Sequence, residues 1–453
     1  MRILLVYPRT RYPSGDIPIG LSLLGAVLRK HGCEVELFDL SFKKNWRAAF
    51  AKTLHSKKYD FMGMSLMTTM VETAAALCRA ARDALPEMKI IAGGPHPTVL
   101  PEQTLKDTGA DVCVVGEGER VMPAVASGAV DAAPGTAAVR NGTFVLSPPA
   151  EPIPDLDSLP FPDFSLFDVK KYTSCWFSLD SVSPRSRGMN IIATRGCPFR
   201  CTFCQPTLTR LFGRTIRKHS PAYVSELVGA LRNAHDINCF MFEDDTFTAD
   251  RKWCMSVAET LSKNHPGIYW GCNTHVRLAD EALLRELKKG GLRKIFIGIE
   301  SASRRILSEI YEKDFTPEEA REKITIAKRL GLKIQAYFMI GAPTETEKEI
   351  AATIRFAVSS PLDEASFNIA TPLPGTVLHQ RFLPHIRVNT SRMNYYDTPP
   401  FDEKIALHPR RLAALKKLAV LKFYASGRRP AALARGLSPP AGFRRFLLKI
   451  RRF

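Results

Sequence analysis

The chain has 453 residues, of which 45% are hydrophobic and 24% are charged. This length predicts two or three domains, and the composition is ordinary for a globular protein. No stretch reaches the roughly 18 apolar residues that a membrane span needs. The apolar start from Met1 to Tyr7 is only strand-length and is closed by Pro8, unlike a signal peptide. These features predict a cytoplasmic protein.

The net charge of +19 is concentrated near the end of the sequence. From Lys404 to Phe453 there are 14 Lys or Arg residues and no Asp or Glu. The basic character is therefore a property of the tail and indicates little about the rest of the protein.

Residues 1–128 alternate short apolar runs with helical patterns, which predicts a doubly wound parallel sheet. Helices are predicted at Gly20–His31 and Thr69–Leu85. The predicted strands are Arg2–Tyr7, Glu34–Leu40, Phe61–Leu66, Lys89–Gly93 and Val112–Val115. Ligands of such sheets bind outside the carboxyl ends of the strands, where this chain has GGPHP and GEGE loops. Glycines there either let a backbone approach a ligand or serve only as turns.

Residues 129–188 are rich in Pro and Gly, and include a hairpin-like RNGTFVLSPP segment. They are too apolar for a solvated linker. This composition predicts an extended connector that docks on both of its neighbours.

A second alternating series fills residues 189–380. Six strand–helix units predict a (β/α)6 partial TIM barrel with function at the carboxyl ends of its strands. Helices are predicted at Ala279–Lys289, Pro317–Leu330 and Glu345–Ser359. The predicted strands are Asn190–Thr194, Cys239–Glu243, Tyr269–Asn273, Lys294–Glu300, Gln335–Ile340 and Ala365–Ala370.

Three of the ten cysteines lie close together, just after the first predicted strand of this barrel. Cys197, Cys201 and Cys204 have the spacing Cys-x-x-x-Cys-x-x-Cys, which can direct three thiolates at one iron–sulfur cluster. With no fourth cysteine nearby, one metal position stays open for chemistry. Arg195 and Arg200 are predicted to favour the thiolates. The alternatives are a zinc site completed by a distant residue, or simple packing.

The other seven cysteines are scattered and are expected to be structural, because free cysteine packs as a small hydrophobic residue. They are Cys33, Cys78, Cys113, Cys175, Cys239, Cys254 and Cys272.

The cysteine loop, ATRGCPFRCTFC, resembles that of radical S-adenosylmethionine (SAM) enzymes. The segments FEDDTF, IGIES, GAPTET and TPLPGT resemble strand ends of the same superfamily. The resemblance implies a 4Fe-4S cluster on Cys197, Cys201 and Cys204 that binds SAM and cleaves it to a 5′-deoxyadenosyl radical. The implied SAM contacts are Phe203, Glu243, Asp244, Asp245, Arg277, Glu300 and Ser301. Here Glu243–Asp245 replace the Gly-Gly-Glu segment of many members, and the contacting residue stays open.

The domain that precedes the barrel resembles that of the cobalamin-binding subclass, through PIGLSLLGAVLRKHG, AGGPHPTVLPE and VVGEGE. The implied cobalamin contacts are Gly20, Ser65, Gly93, Gly94, Gly116, Glu117 and Gly118. No Asp-x-His-x-x-Gly motif occurs in residues 1–128, and His31, His55 and His96 lack that context. A bound cobalt is therefore expected to lack a lower His ligand. A domain that binds no corrin is the alternative.

The resemblance implies a methyl transfer to a substrate carbon as the first reaction to consider, with cyclisation, rearrangement or oxidation as alternatives. A methylthiotransferase needs three cysteines at strand ends of the first domain, whereas Cys78 and Cys113 are predicted within a helix and a strand. A non-catalytic iron–sulfur or corrin sensor is a further alternative.

The partners expected are a small-molecule or lipid-like substrate and an electron donor such as flavodoxin or ferredoxin. The basic α-helical region at 381–453 is predicted to cap the barrel, with peripheral contact to anionic lipid at the inner face of the membrane as an alternative. Nucleic acid is not expected, because aromatic stacking platforms are not evident.

Overall fold

The computed structural model describes residues 1–9, 15–427 and 429–431. They form two α/β units that each contain one large sheet. The prediction of a doubly wound domain followed by a partial barrel is confirmed. None of the described helices is both long and apolar enough to cross a lipid bilayer.

The first sheet has the strand order β2-β1-β3-β4-β5-β6-β7, in which the first five strands are parallel and the last two antiparallel. Its strands are β1 (Arg2–Tyr7), β2 (Glu34–Asp39), β3 (Phe61–Ser65), β4 (Lys89–Gly93), β5 (Val112–Val114), β6 (Thr136–Arg140) and β7 (Thr143–Leu146). The strand order reverses between β1 and β3, and sheets of this kind bind ligands outside the strand ends at that point.

Six helices belong to this unit: α1 (Ile19–Lys30), α2 (Trp46–Ser56), α3 (Val71–Ala84), α4 (Pro95–Val99), α5 (Pro101–Thr108) and α6 (Met122–Ala126). Strand β1 is buried along Ile3–Tyr7 because both faces of the sheet are covered. The predicted strands and helices all occur, with ends that shift by one or two residues.

The segment predicted as an extended connector is more structured than its composition indicated. Its hairpin, β6 and β7, continues the first sheet beyond β5, where Val112 pairs with Ala138. Helix α7 (Val169–Cys175) follows, and Tyr172 donates a hydrogen bond to Asp39 at 2.7 Å. The apolar residues of the segment are therefore part of the first unit's packing, so residues 136–146 are sheet and not linker.

The second sheet is entirely parallel, with the order β15-β14-β13-β12-β11-β8. Its strands are β8 (Gly188–Ile191), β11 (Cys239–Phe242), β12 (Tyr269–Thr274), β13 (Leu292–Glu300), β14 (Lys333–Ile340) and β15 (Glu364–Ile369). Between β8 and β11 lies a small antiparallel ribbon of β9 (Thr194–Arg195) and β10 (Arg217–Lys218). The open ends of the sheet make it a half barrel.

The helices of this unit are α8 (Thr207–Phe212), α9 (Pro221–His235), α10 (Arg251–Asn264), α11 (Glu281–Lys289), α12 (Pro317–Arg329), α13 (Glu347–Ser359), α14 (Val377–Phe382) and α15 (Pro409–Tyr424). Capping boxes start α12 and α13, because Thr316 and Thr346 each exchange hydrogen bonds with a Glu three residues later. The first barrel strand ends at Ile191, three residues earlier than predicted. Asp244 accepts a hydrogen bond from the Ala193 amide, which holds the chain away from the sheet.

Helix α15 packs through Leu412, Leu415, Ala419 and Phe423, which are buried. The interpretation of this part of the basic region as a helical cap on the barrel is therefore supported. Residues 432–453, the rest of the basic region for which lipid contact is the alternative, lie outside the described residues.

Candidate active site

The cysteine loop follows β9 and is tied to elements on the opposite side of the half barrel. The Thr202 hydroxyl donates to the Ile310 carbonyl at 2.6 Å, and the Thr202 amide donates to the Tyr311 carbonyl at 3.1 Å. The Leu378 amide of α14 donates to the Thr202 carbonyl at 2.9 Å. These bonds hold the loop between the ends of β13 and β15, at the carboxyl ends of the strands, as predicted.

The three cysteines of the loop are half-buried, and their thiols interact electrostatically with one another. Burial raises the pKa of all three above its usual value, to about 11 for Cys201. The Cys197 sulfur also lies 3.4 Å from the Thr246 hydroxyl. A metal that binds these groups has to displace their protons, and thiolate ligands of this kind suit iron–sulfur clusters.

Residues 1–9, 15–427 and 429–431 contain no group of three His, Cys, Asp or Glu side chains arranged to hold one metal ion. A four-iron cluster is larger than one ion, and its cysteine ligands sit at separate corners.

Lys313 is a buried cation beside the cysteine loop that the sequence reasoning missed. Its ammonium donates to the Gly298 carbonyl at 2.7 Å and forms an ion pair with Glu300 at 3.1 Å. It also lies 5.8 Å from the centroid of the Phe203 ring. Burial alone would lower the pKa of Lys313, but Glu300 and the nearby thiols outweigh that effect and raise it. A permanent positive charge therefore stands next to the thiolates.

The structure places the predicted SAM contacts in different surroundings. Phe203 is half-buried and meets Tyr311 edge-to-face, with the ring centroids 5.4 Å apart. Glu300 is buried, with a positive φ of 66° at a bulge in β13. The Ser301 hydroxyl is also buried and lies 3.3 Å from that of Thr353. Arg277 is more than half exposed and pairs with Asp314 at 2.8 Å.

The three acidic residues after β11 also differ among themselves. Asp244 is 1% exposed and holds the Ala193 amide, so at least one of its oxygens has a structural partner. Burial raises its pKa to about 7. Asp245 accepts a hydrogen bond from the Gly196 amide, while burial raises its pKa to about 6. Asp245 thus connects the end of β11 to the start of the cysteine loop.

A cavity of about 340 Å³ lies between the two units. Its walls come from the strand ends of the first sheet, from α1 and from the β8–β9 region of the barrel, and Glu243, Asp244 and Asp245 also line it. All the residues that the resemblance assigned to cobalamin line this cavity: Gly20, Ser65, Gly93, Gly94, Gly116, Glu117 and Gly118. The cavity occupies the position where the strand order of the first sheet predicts a ligand.

The glycines of the wall fit a bulky ligand that approaches the backbone closely. A Cβ on Gly20 would meet nothing within 4 Å, and one on Gly116 would meet nothing nearer than 3.9 Å, so both face open space. Gly94 has a φ of +96°, and a Cβ there would lie 2.9 Å from the Ser65 hydroxyl. Only glycine fits that turn without strain. The residues present therefore fit a corrin.

Glu117 has a structural role in addition to lining the cavity. It pairs with Arg195 at 2.5 Å and with Arg217 at 2.8 Å, and it accepts from the Ile153 amide at 2.8 Å. Arg195 also binds Glu119 at 2.6 Å. Burial alone would raise the pKa of Glu117, but the two guanidinium groups hold it below its usual range.

These contacts correct one prediction. Arg195 was expected to stabilise the thiolates, but both of its terminal nitrogens are taken by carboxylates of the first unit. The four charged residues, Glu117, Glu119, Arg195 and Arg217, are hereafter called the interdomain ion cluster. Arg200, the second arginine of that prediction, is exposed.

Three further features of the interface carry no motif, so the sequence alone could not reveal them. The Asn190 side chain of β8 exchanges two hydrogen bonds with the Ile17 backbone, at 3.0 and 3.1 Å. His219 lines the cavity and contacts Asp157 at 2.9 Å. Tyr395 is 39% exposed, yet surrounding atoms and Cys204 raise its pKa. Tyr395 therefore lies close enough to Cys204 for the two groups to interact electrostatically.

The histidines and cysteines of the first unit agree with the predictions. His31 and His55 are exposed, and His96 lies in the first turn of α4, outside the cavity wall, with its Nδ1 3.2 Å from the Thr68 hydroxyl. Cys78 lies in α3 and Cys113 in β5, both buried. A second cluster of the methylthiotransferase kind therefore has no set of strand-end thiols in the described residues.

Comparison with known proteins identifies both units. A family model described as B12 binding domain matches residues 14–126, and one described as Radical SAM superfamily matches residues 191–357. The chain is 30% identical to an uncharacterized methyltransferase of Pyrococcus horikoshii, over 98% of this chain and 96% of the relative. It is 28% identical to an anaerobic magnesium-protoporphyrin IX monomethyl ester cyclase of Rubrivivax gelatinosus, over 88% of this chain and 73% of the relative.

Among solved structures, the fold is similar to that of the radical S-adenosylmethionine methyltransferase TsrM from Kitasatospora setae with cobalamin and a [4Fe-4S] cluster bound. The TM-score is 0.74 at 15% identity, over 100% of this chain and 99% of that chain. The order of the two matched domains, the three-cysteine loop and the relative that is similar over its full length all indicate the same family. The chain belongs to the radical S-adenosylmethionine enzymes that carry a B12-binding domain.

Proposed function

We propose that this chain is a cobalamin-dependent radical SAM methyltransferase that methylates a carbon atom of a small-molecule substrate. The observation that carries the proposal is the position of the cavity relative to the cysteine loop. The cavity wall includes Asp245 and Arg195, and both residues contact or adjoin the start of that loop. Ligands held in the two places would therefore face the same interface between the units.

The two cofactors divide the chemistry. A cluster on the three cysteines would supply the electron that cleaves SAM, and a bound cobalamin would supply the methyl group. The protein's own part is to hold the reacting groups at a fixed separation and to keep water away from them. The interdomain ion cluster and the Asn190–Ile17 contact hold the two sites at a fixed separation, because they join the wall of the cavity directly to β8 and β9.

Roles for the remaining site residues follow from their surroundings. Phe203 and Glu300 are the stronger candidates for SAM contacts, because both belong to the group around Lys313 beside the cysteine loop. Asp245 is favoured over Asp244, whose carboxylate already holds the Ala193 amide. Tyr395 is proposed to face the substrate.

The test is anaerobic reconstitution of the full chain with iron, sulfide and hydroxocobalamin, followed by reduction in the presence of SAM that carries a deuterated methyl group. A methyltransferase is expected to form deuterated methylcobalamin and S-adenosylhomocysteine, even without the substrate. Cys201→Ala is expected to abolish 5′-deoxyadenosine formation, and Cys33→Ala, a buried cysteine outside the loop, serves as the control. Bound cluster and bound corrin without any methyl transfer to cobalt would contradict the proposal.

A radical cyclase is the second candidate, favoured by the likeness to the Rubrivivax gelatinosus cyclase. That reading predicts 5′-deoxyadenosine without methylcobalamin in the same experiment. Reduction by flavodoxin or ferredoxin, and contact of the basic tail with anionic lipid, remain predictions from sequence. Loss of binding to anionic vesicles on deletion of residues 427–453 is the expected result for lipid contact, and unchanged binding would exclude it.

A further inference from the structure

His219 is held in place by hydrogen bonds on three sides. Its amide donates to the Ala193 carbonyl at 2.9 Å, and its carbonyl accepts from the Trp253 indole at 2.7 Å. Its Nδ1 lies 2.9 Å from a carboxylate oxygen of Asp157. Because both backbone groups are committed, the imidazole ring is the part of His219 that remains to line the cavity.

The surroundings also fix the state of the ring. It stacks on Tyr223, with centroids 3.8 Å apart and planes 10° apart. Burial lowers the pKa of His219 below its usual value, and the nearby Asp157 does not reverse that shift. Hence the ring is neutral near pH 7, with its proton on Nδ1 facing the carboxylate. The opposite nitrogen, Nε2, then carries a lone pair and can only accept.

In the part of the chain that the structure describes, the hydrogen bond of the His219 ring is made by Nδ1. The His219 side chain is only 9% exposed. The fixed tautomer keeps Nε2 available as an acceptor toward the cavity that His219 lines. Such an arrangement is expected where a ligand supplies the donor.

We propose that His219 is a corrinoid-binding residue, whose Nε2 accepts a hydrogen bond from an N–H or O–H group of the cobalamin held in the cavity. This inference rests on the proposed function. Asp157, which also accepts from the Ser220 amide at 3.0 Å, is the positioning residue that fixes the tautomer. The segment between the two units is thereby part of the binding site, in addition to connecting them. The donor on cobalamin is either a carboxamide of the corrin ring or a hydroxyl of the nucleotide tail.

Two substitutions at position 219 separate the two nitrogens. In His219→Asn, the amide can still donate to Asp157, but nothing remains in the place of Nε2. In His219→Gln, the longer side chain can place an acceptor near Nε2. Loss of one neutral hydrogen bond corresponds to about tenfold weaker binding. His219→Asn is therefore expected to raise the dissociation constant of aquacobalamin about tenfold, and His219→Gln to restore most of the affinity.

The dissociation constant is measured by visible titration of the full-length protein, with thermal unfolding to verify that each variant is folded. His55→Asn makes the same exchange at an exposed histidine of α2 that does not line the cavity, so it is the control and is expected to bind normally. Asp157→Asn is expected to weaken binding, and adding it to His219→Asn is expected to cause little further loss.

A parallel titration with cobinamide, which lacks the nucleotide tail, locates the donor. Weaker binding of both corrinoids to His219→Asn assigns it to the corrin carboxamides, and weaker binding of cobalamin alone assigns it to the nucleotide. If His219→Asn binds both as tightly as the wild type, the inference is overturned and the proposed function stands. A wild-type protein that binds neither corrinoid overturns the proposed function itself.

Discussion

Removing the carboxylate of Glu117 tests how the two units are held together. In Glu117→Ala, Arg217 loses its ion pair with Glu117 and keeps hydrogen bonds to the Ile153 and Phe212 carbonyls. Arg195 keeps only Glu119. The Ile153 amide also loses its acceptor. One substitution thus leaves the buried guanidinium of Arg217 without its carboxylate partner at the interface between the units.

The magnitude follows from burial. The side chains of Glu117 and Arg217 are 4% and 8% exposed, and removing one partner from a buried pair lowers stability by about 3–5 kcal/mol. Because Arg217 keeps two carbonyl acceptors, a value near 3 kcal/mol is expected. Glu318→Ala removes an ion pair with Arg304 in which both side chains are 68% exposed, so its effect should stay below about 1 kcal/mol.

Urea unfolding followed by circular dichroism measures both variants against the wild type. The pKa of Glu117 lies below its usual range in the folded protein, so its stabilising effect is present at neutral pH. That effect is lost as the pH falls below the ordinary carboxyl value of about 4.3. The difference between wild type and Glu117→Ala should therefore shrink in acid. Equal effects of Glu117→Ala and Glu318→Ala at pH 7 would refute the reasoning.

Three further perturbations have expected outcomes. Gly94→Ala should lower the free energy of unfolding by about 1–3 kcal/mol and weaken cobalamin binding. The control is Gly32→Ala, at a positive φ without close neighbours, which should lower stability and leave cobalamin binding unchanged. Burial raises the pKa of Glu345 to about 8, so urea unfolding should show wild-type stability falling from about pH 5 to pH 8. Glu345→Gln should reduce this slope, and Asp244 and Asp245, whose pKa values are also raised, should account for the slope that is left. Lys313→Met leaves Glu300 buried without its cation, so it should lower stability by about 3 kcal/mol and reduce iron content. Adding Glu300→Gln should restore part of the stability and part of the iron content. A Lys313→Met protein with normal iron content and stability would contradict a role for Lys313 beside the cluster.

The features that the sequence predicted are those with local signals. Period-two and period-3.6 apolar patterns located the five parallel strands of the first sheet and the six strands of the second, apart from small shifts at their ends. The GGPHP and GEGE loops after β4 and β5 were correctly placed at one edge of the sheet, because parallel strands end on the same side. Both loops line the same cavity.

What the sequence did not reveal depends on contacts between distant segments. Arg195 pairs with carboxylates more than 70 positions earlier in the chain. Its closeness to the cysteines in the sequence therefore suggested that it stabilises the thiolates, whereas Lys313 is the buried cation beside them. Lys313 and His219 are single polar residues without a motif, and only the packed structure shows that they are buried beside the cysteine loop and in the cavity wall. Residues 136–146 are not followed by a helical pattern, so the strand–helix alternation did not predict that β6 and β7 belong to the first sheet.

The central claim is that one chain holds an iron–sulfur cluster and a corrin at the same interface. It is tested most directly by iron and cobalt analysis, with visible and electron paramagnetic resonance spectra, of protein purified anaerobically in the presence of hydroxocobalamin. The account predicts about four iron atoms and about one cobalt atom per chain. It also predicts that Cys201→Ala loses the iron and keeps the cobalt, since the two cofactors have separate ligands. A protein that binds a cluster and no cobalt would contradict the account.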